Sequence, residues 1–416
     1  MMKKILVLTE EYQAMTNATG VCTKAILDTL AKKNDVMVLS TIDSFDTNFP
    51  SEYDGIQVEY QNNMWWELKD NPNSHPFQQQ AVKVMRKARN LLMKPFYPIN
   101  SISPIIRFFY KACRLHKKYK FDIILCFFHP FESFIVGGLL KKRYPELRVV
   151  QYMLDTFMNY TPYARLLSKK FCHERNLKLE TWGYQYCDRI INLQVQQKFY
   201  DSDPNYNKYK HKMVYTDIPL FKYRASPTIG SAHIVKGTMI YAGSLVKDFR
   251  NPSYALNLIS MLPEEYKAIF YCSGNCNGIV SSYADKYDTI IMGGYIQHDL
   301  LEKKMEETEV LINFGNYKLN MIPSKIFEYF SFEKKIIHFY KDDDDTCIPY
   351  LQKYPYSLLI DERDALEYNL KKLLGFLSAK IDSVPKSEWQ QAFYMNNPEY
   401  SVKLILGADS MTEILK

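Results

Sequence analysis

The chain has 416 residues, of which 47% are hydrophobic and 24% are charged, and its formal net charge is +7. These values are close to those of ordinary globular proteins, and they exclude disordered, collagen-like and coiled-coil chains. At this length we expect two or three domains whose cores need no disulfide or metal ion to hold them together.

Neither the cysteines nor the apolar runs indicate an extracellular or membrane-spanning protein. The eight cysteines are scattered, most of them within apolar runs, which is typical of reduced, buried thiols. Cys272 and Cys276 have no second Cys or His pair at zinc spacing, so we predict no metal site. The apolar run after the basic N-terminus is too short for a signal peptide, and no run approaches the ~18 residues of a spanning helix. We therefore expect a cytoplasmic protein.

Short apolar runs alternate with helix-length amphipathic segments through the first half of the chain. The apolar runs occupy 4–8, 35–40, 121–127, 148–153, 189–193 and 212–216. This alternation is typical of parallel α/β sheets. We predict a Rossmann-like, doubly wound domain over residues 1–222.

The stretch 221–237 has no apolar periodicity, which predicts a linker, and a second series of strand and helix patterns follows it. The strands of that series are predicted at 238–243, 267–274, 288–295, 309–315, 334–340 and 356–361. We predict a second Rossmann-like domain over 223–385 and C-terminal helices over 386–416 that cross back to the first domain. The expected fold is thus α/β, with two doubly wound domains facing across a cleft and ligands at the carboxyl ends of the strands.

One segment departs from this alternation, because residues 71–121 contain no acidic residue and many cations interleaved with apolar and aromatic side chains. The cations are Lys83, Arg86, Lys87, Arg89, Lys94, Arg107, Lys111, Arg114, Lys117, Lys118 and Lys120. A basic amphipathic helix suits the surface of an anionic membrane. A solvated basic face on ordinary core helices is an equal alternative. Since no nucleic-acid recognition motif accompanies the charge, we expect no nucleic-acid partner.

The most informative segment is 320–330, Asn-Met-Ile-Pro-Ser-Lys-Ile-Phe-Glu-Tyr-Phe, which should open a helix at the carboxyl end of a strand. Pro323 suits the first helical position. The free N–H groups at the helix start, together with the charge of Lys325, would bind an anion. Glu328 lies one turn after Ser324, where its carboxylate can accept the two vicinal hydroxyls of a ribose. The segment predicts a binding site for a nucleotide sugar.

This pattern resembles the donor-binding motif of GT-B glycosyltransferases, especially the retaining, family 4-like group 1 enzymes with an E-x7-E signature. Residues 323–329, Pro-Ser-Lys-Ile-Phe-Glu-Tyr, match the variant common among bacterial polysaccharide enzymes. The first Glu of the signature is Asn320 here. Because that Glu contacts the donor sugar in the family, the resemblance implies a sugar-binding, catalytic position for Asn320. The departure leaves the stereochemical outcome open.

Further matches run through the second domain. Residues 240–245, Ile-Tyr-Ala-Gly-Ser-Leu, resemble the first strand and glycine loop of the family, which implies donor contacts from Gly243 and Ser244. Arg250 stands at the place of the usual phosphate contact, and Tyr295 and Ile296 stand in the loop that seats the nucleobase.

The first domain resembles the family more loosely. Gly20 opens the first helix on the acceptor side, His129 follows one strand and Asp155 ends another, which implies catalytic roles for the last two. The alternatives are ordinary ones: His129 could be a core or capping histidine, and Asp155 could cap the next helix.

The donor motif also has structural alternatives. Ser324 and Lys325 could be an ordinary helix cap with a Lys325–Glu328 ion pair, and Arg250 could merely cover a helix start. The acidic run 342–345 suggests a metal site, but its place after a strand favours a solvated loop.

The resemblance implies a glycosyltransferase that moves a sugar from a nucleotide-diphosphate sugar to a glycan or polyprenol-linked acceptor in cell-surface polysaccharide synthesis. It also implies that no cofactor or metal is needed beyond the donor. A membrane-bound basic segment would place the protein on the inner face of the cell membrane. The alternative is a catalytically degenerate subunit that binds a partner glycosyltransferase or the membrane. Nucleotide-sugar 2-epimerases share the fold, but their characteristic acid and His have no clear match here, and no G-x-G-x-x-G supports a dehydrogenase.

Overall fold

The structure is a computed structural model that describes residues 2–10, 12, 18–42, 50–62, 76–99, 101–156, 167–223, 234–317, 322–380 and 384–408. The chain forms two compact units. The first comprises Met1–Pro219 and Pro398–Lys416, and the second comprises Leu220–Asn397. The division thus falls three residues before the boundary drawn from the sequence, and most of the linker predicted at 221–237 lies outside the described residues.

An eight-stranded sheet forms the centre of the first unit, in the order β3-β4-β2-β1-β5-β6-β7-β8. Its strands are β1 (Lys4–Glu10), β2 (Asp35–Ile42), β3 (Glu52–Tyr53), β4 (Ile56–Asn62), β5 (Ile123–Phe127), β6 (Arg148–Met153), β7 (Arg189–Leu193) and β8 (Met213–Thr216). All pairs are parallel except β3 with β4. The six predicted strands are confirmed. The edge strand β3, which has two residues, and its neighbour β4 were missed, and β4 alternates apolar with polar residues.

Helices follow the strands of this sheet: α1 (Ala18–Leu30), α2 (Pro76–Met93), α3 (Ile102–Tyr119), α4 (Phe131–Arg143), α5 (Lys169–Gln185) and α6 (Gln197–Ser202). Strands β5 and β7 are buried along their whole length, as expected where helices cover both faces of a parallel sheet.

A carboxylate is buried in the core of the first unit. Glu180 of α5 accepts hydrogen bonds from the phenol groups of Tyr184, Tyr200 and Tyr206 at 2.9, 3.0 and 2.5 Å. Burial raises the pKa of Glu180 to about 7, although the three hydroxyls act to lower it. The group therefore titrates near neutral pH.

The second unit is built on a six-stranded, fully parallel sheet in the order β11-β10-β9-β12-β13-β14. Its strands are β9 (Val235–Ser244), β10 (Lys267–Ser273), β11 (Ile290–Met292), β12 (Thr308–Phe314), β13 (Lys335–Tyr340) and β14 (Ser357–Asp361). Its helices are α7 (Ser253–Ser260), α8 (Asn277–Ala284), α9 (His298–Glu307), α10 (Lys325–Ser331), α11 (Ile348–Leu351), α12 (Leu366–Ser378) and α13 (Lys386–Trp389). This order is that of a doubly wound Rossmann-like sheet.

The C-terminal helix α14 (Pro398–Leu406) packs in the first unit, against α1, β7 and β8. Nη1 of Arg148 and of Arg189 donate to the carbonyl oxygens of Leu406 and Leu404, at 2.9 and 3.1 Å. Such bonds satisfy the last carbonyls of a helix, which have no partner within it. The return begins at Pro398 rather than at 386, because 386–397 belongs to the second unit.

All eight cysteines are free and buried, as predicted. Within the described ranges, none of the helices has the length and apolarity needed to cross a bilayer.

Candidate functional site

The strand order of the second sheet reverses between β9 and β12. Ligands of doubly wound sheets bind beyond the carboxyl ends of the strands at this switch point. Arg250 joins the two strand ends: Nη1 donates to the carbonyl oxygen of Ser244 at 3.0 Å, and Nε donates to Oδ1 of Asn316 at 3.1 Å. Ser244 is the last residue of β9, and Asn316 lies two residues beyond β12.

The guanidinium of Arg250 does not use all of its N–H groups in bonds to the described residues. A second bond to Asn316, from Nη2, brings the total to three, and a side-chain hydrogen bond also joins the guanidinium to the Tyr241 hydroxyl, which leaves one of the five N–H donors uncommitted among the described residues. Its partners are strand ends rather than the start of α7, so covering a helix start does not account for the side chain. A half-buried guanidinium with a remaining donor can bind an anion.

The helix of the 320–330 segment begins later than predicted. α10 begins at Lys325, and the preceding residues form a turn in which the N–H of Ile326 donates to the carbonyl of Pro323 at 3.3 Å. The prediction that Pro323 is the first helical residue is therefore wrong, because this tight i→i+3 turn precedes the helix. α10 has only seven residues, so side-chain charge outweighs its dipole in the electrostatics of the site.

Lys325 is a half-buried cation without a bonded partner among the described residues. The alternative Lys325–Glu328 ion pair is not formed. Burial lowers the pKa of Lys325, the charge of Glu328 opposes this shift, and the charge of Arg250 adds to it. The positive charges of Lys325 and Arg250 repel each other, and a ligand that carries negative charge would relieve this repulsion.

Tyr329 holds α10 against the end of β9. Its hydroxyl oxygen lies 3.3 Å from the backbone nitrogen of Ala242 and 3.4 Å from the carbonyl oxygen of the same residue, directly before Gly243. On the same helix Glu328 is half-buried, and the Ser324 side chain before it makes no capping bond. The structure therefore brings six of the predicted donor residues to one sheet edge: Gly243, Ser244, Arg250, Ser324, Lys325 and Glu328.

The other predicted donor residues lie elsewhere. Tyr295 and Ile296 follow β11, the outermost strand of the sheet, and the Tyr295 side chain is 94% exposed. Within the described part of the chain, no hydrogen bond joins either of them to Arg250 or Lys325, and their role in seating a nucleobase stays a prediction. Asn320 lies outside the described residues.

The first unit has its own switch point, between β1 and β5. There the N–H of Glu10 donates to the carbonyl oxygen of His129 at 3.2 Å, and Nε2 of His129 lies 3.2 Å from Oδ2 of Asp155. Burial opposes protonation of His129, but the bond to Asp155 and the charge of Glu10 outweigh it and raise the pKa of the imidazole. Gly20 lies in the first turn of α1, half-buried. The structure thus pairs two of the predicted residues, His129 and Asp155.

Two residues of these sites were missed. Asn316 holds Arg250, and Glu10 contributes to the charge on His129. Both stand at the carboxyl end of a strand beside a switch point, and that position is the signal that could have identified them.

The acidic run 342–345 was predicted to be a solvated loop, and this prediction is wrong for its last residue. Asp345 is buried, with Oδ1 3.3 Å from Nε2 of His338, and it accepts the N–H of Cys347 at 2.7 Å. Burial opposes ionisation of Asp345, but His338 and this N–H outweigh it and lower its pKa. The Asp345 carboxylate lies directly against the backbone of Gly315, because a Cβ added at Gly315 would lie 1.6 Å from its Oδ2.

Within the described residues, one group of three potential metal ligands lies close together, namely His338, Asp345 and Cys347. His, Asp and Cys are a donor set that zinc accepts. Burial, however, raises the pKa of the Cys347 thiol well above its usual range, so the thiol keeps its proton. The Asn313 amide lies 2.9 Å from Nδ1 of His338 and 3.8 Å from Sγ of Cys347. Through these contacts the group supports the end of β12, and we interpret it as structural.

A cavity of about 670 Å³ lies at the opposite edge of the second sheet. Gly237, Glu309 and Lys334 are among its lining residues, and they stand at the amino-terminal ends of the strands. Doubly wound sheets do not bind their ligands there. The switch-point residues are therefore a better candidate site than this cavity.

No known family model matches the sequence, and no curated protein matches it. Solved structures do match the fold. The glycotransferase of kitacinnamycin matches with a TM-score of 0.51 at 10% identity, over 97% of this chain and 98% of that chain. The lipopolysaccharide outer core galactosyltransferase WaaB matches with a TM-score of 0.50 at 10% identity, over 97% and 99%. The UDP-GlcNAc 2-epimerase from Methanocaldococcus jannaschii matches with 0.54 at 10% identity, over 97% and 100%.

These likenesses confirm the predicted fold. The chain has two doubly wound α/β domains of the GT-B type, the fold of glycosyltransferases. The finer resemblance to the retaining, family 4-like group stays a prediction. Because a 2-epimerase has the same fold, the choice of reaction must come from the site residues.

Proposed function

We propose that the protein is a glycosyltransferase that uses a nucleotide-diphosphate sugar as its donor. The observation that carries the proposal is Arg250, which bridges the two strand ends at the switch point of the second sheet and keeps one donor free. Lys325 adds a second cation with no bonded partner among the described residues.

The two cations would bind the donor diphosphate. Negative charge develops on the leaving diphosphate as the bond between the sugar C1 and the phosphate oxygen breaks. A planar guanidinium and an ammonium group fixed nearby stabilise that charge without reorganising during the reaction. We therefore propose that this charge is neutralised by protein cations and that transfer does not depend on a metal ion.

The rest of the donor would follow the same sheet edge. The Glu328 carboxylate is placed one turn beyond Ser324, where it can accept the ribose hydroxyls, and Gly243 and Ser244 would approach the phosphates. We propose that Tyr295 and Ile296 cover the nucleobase and that Asn320 bonds the transferred sugar.

The first unit would bind the acceptor, a glycan or a polyprenol-linked glycan of cell-surface polysaccharide synthesis. His129 is held by Asp155 at the switch point of that unit and has a raised pKa. An imidazole so held can bond a sugar hydroxyl and exchange a proton with it. Gly20, in the first turn of α1, would let the acceptor approach the backbone.

The test is a product assay with the purified full chain, a nucleotide sugar and a glycan acceptor. We expect release of the nucleoside diphosphate with formation of a new glycosidic bond, and the same rate when EDTA is present. Conversion of the sugar to its 2-epimer would instead assign the chain to the epimerases. Nucleotide binding without any turnover would support the degenerate subunit.

The matched variants are Lys325→Ala and Lys334→Ala. Both lysines are half-buried residues of the second unit whose pKa is lowered, first of all by burial. Lys334 lies at the opposite sheet edge, so only Lys325→Ala should lose turnover. An equal loss in both variants would contradict the site assignment.

A further inference from the structure

The rest of the first unit covers the helix α2 poorly. None of its described side chains is buried. Five large apolar side chains are exposed on it, from 46% for Met85 to 78% for Phe77. These five side chains gain little burial from the described part of the unit, and this exposure favours a partner that covers them.

The exposed apolar residues of α2 form one stripe. Phe77, Val84 and Leu91 recur at intervals of seven residues, and Met85 and Leu92 follow the last two by one position. This spacing places them on one side of an α-helix, about 120° wide. A contiguous apolar stripe of this kind marks an interaction surface rather than scattered surface hydrophobes.

Cations lie beside the stripe. Lys83 and Lys87 are exposed on α2, and neither forms an ion pair with a described residue. The helix itself contains no acidic residue. Its partner must therefore offer an apolar phase and negative charge together.

The next helix, α3, also exposes apolar side chains and cations. α3 buries one face in the core through residues such as Phe108 and Leu115. Its outer face exposes Ile102, Ile106 and Tyr110, at 48%, 47% and 63%. Further cations are exposed near its end at Arg114, Lys117 and Lys118.

We infer that the exposed faces of α2 and α3 dock on an anionic lipid bilayer. The apolar stripe would enter the boundary between headgroups and acyl chains while the cations meet lipid phosphates. A nucleic acid would take up the cations but would leave the aliphatic side chains in water. Docking would also bring the acceptor side close to lipid-linked glycans, and only this last step rests on the proposed function.

The experiment is co-sedimentation of the full chain with vesicles at low salt. Phosphatidylcholine vesicles are compared with equimolar phosphatidylcholine and phosphatidylglycerol. We expect binding to the anionic vesicles, little binding to the neutral ones, and release at high salt because the charges are then screened. Equal binding to both vesicles, or to neither, would overturn the inference.

Two pairs of variants locate the surface. Leu91→Ser with Leu92→Ser, and separately Lys83→Glu with Lys87→Glu, should each weaken binding at least about tenfold. Controls in the same unit are Val195→Ser, which is 53% exposed, for the apolar pair, and Lys32→Glu with Lys33→Glu for the charge pair. The controls should bind like the unchanged protein.

The remaining outcomes separate the competing explanations. Equal loss in both charge pairs would mean unspecific attraction of the whole basic protein. Capture of single-stranded RNA that depends on Lys83 and Lys87 but not on Leu91 and Leu92, without vesicle binding, would replace the bilayer by nucleic acid. The Leu91 and Leu92 variant should keep the nucleotide-induced rise in melting temperature. Vesicle binding that persists in a chain without any nucleotide response would overturn the proposed function and leave the docking surface in place.

Discussion

Replacing Arg250 by Ala probes the donor site most sharply, because this side chain both carries charge and joins two strand ends. A hydrogen bond to a charged group contributes about 1.5–3 kcal/mol. One donor of Arg250 remains for a diphosphate beside the bonds to Ser244, Asn316 and Tyr241, and the side chain is half-buried, so the lower value applies. About 1.5 kcal/mol corresponds to about tenfold weaker binding of a nucleoside diphosphate.

The assay is calorimetric titration of the full chain with the nucleotide it prefers. Arg250→Lys keeps the charge but lacks the planar fork, so it should fall between the unchanged protein and Arg250→Ala. Arg363→Ala is the matched control, since Arg363 also follows a strand of this sheet but bonds Asp361 and Asp343. Arg250→Ala that binds as tightly as Arg363→Ala would refute the assignment of the diphosphate to the switch point.

Three further predictions address the charges and packing that support both units. Because burial lowers the pKa of Lys325, nucleotide affinity should fall as alkaline pH removes its charge, and Lys325→Ala but not Lys334→Ala should abolish this fall in a pH series of titrations. The pKa of Glu180 is raised to about 7, so the folded state binds an extra proton between the unfolded pKa and 7 and loses stability as pH rises. Between pH 4 and pH 8 the unchanged protein should therefore lose about 3 kcal/mol of unfolding free energy that Glu180→Gln does not lose, which urea unfolding at each pH measures. Parallel pH profiles of the two proteins would contradict the buried charge. Gly315→Ala should cost about 1–3 kcal/mol of unfolding free energy, since the added Cβ meets the buried Asp345 carboxylate, and an unchanged denaturation midpoint would contradict this packing.

The sequence was sufficient for the fold because both sheets are built from apolar strand-length runs separated by amphipathic helices. Strand β5, for example, consists entirely of buried apolar residues, so its pattern is unambiguous. Strand β4 was missed because it lies near the sheet edge and alternates with polar residues. Its pairing with β2 depends on a neighbour that no local pattern shows.

The candidate sites could be predicted only in part. Lys325 and Arg250 stand out by motif and position, but the bond from Arg250 to Asn316 is a contact across the sheet that spacing cannot show. The burial of Asp345 within an acidic run is also invisible in the sequence, because it depends on contacts with His338 of the preceding strand β13 and with Gly315 after the neighbouring strand β12. In each case the missing information is which side chains the strand order brings together.

The central claim is that this GT-B chain binds a nucleotide-diphosphate sugar at the switch point of its second sheet. The most direct measurement is the melting temperature of the full chain with UDP, GDP, CMP, dTDP, ADP and their common sugar conjugates. A ligand at 100 times its Kd adds about 2.7 kcal/mol to the unfolding free energy. We predict a rise for one nucleotide class that is lost in Lys325→Ala and kept in Lys334→Ala. No rise with any nucleotide, or a rise that Lys325→Ala retains, would contradict the account.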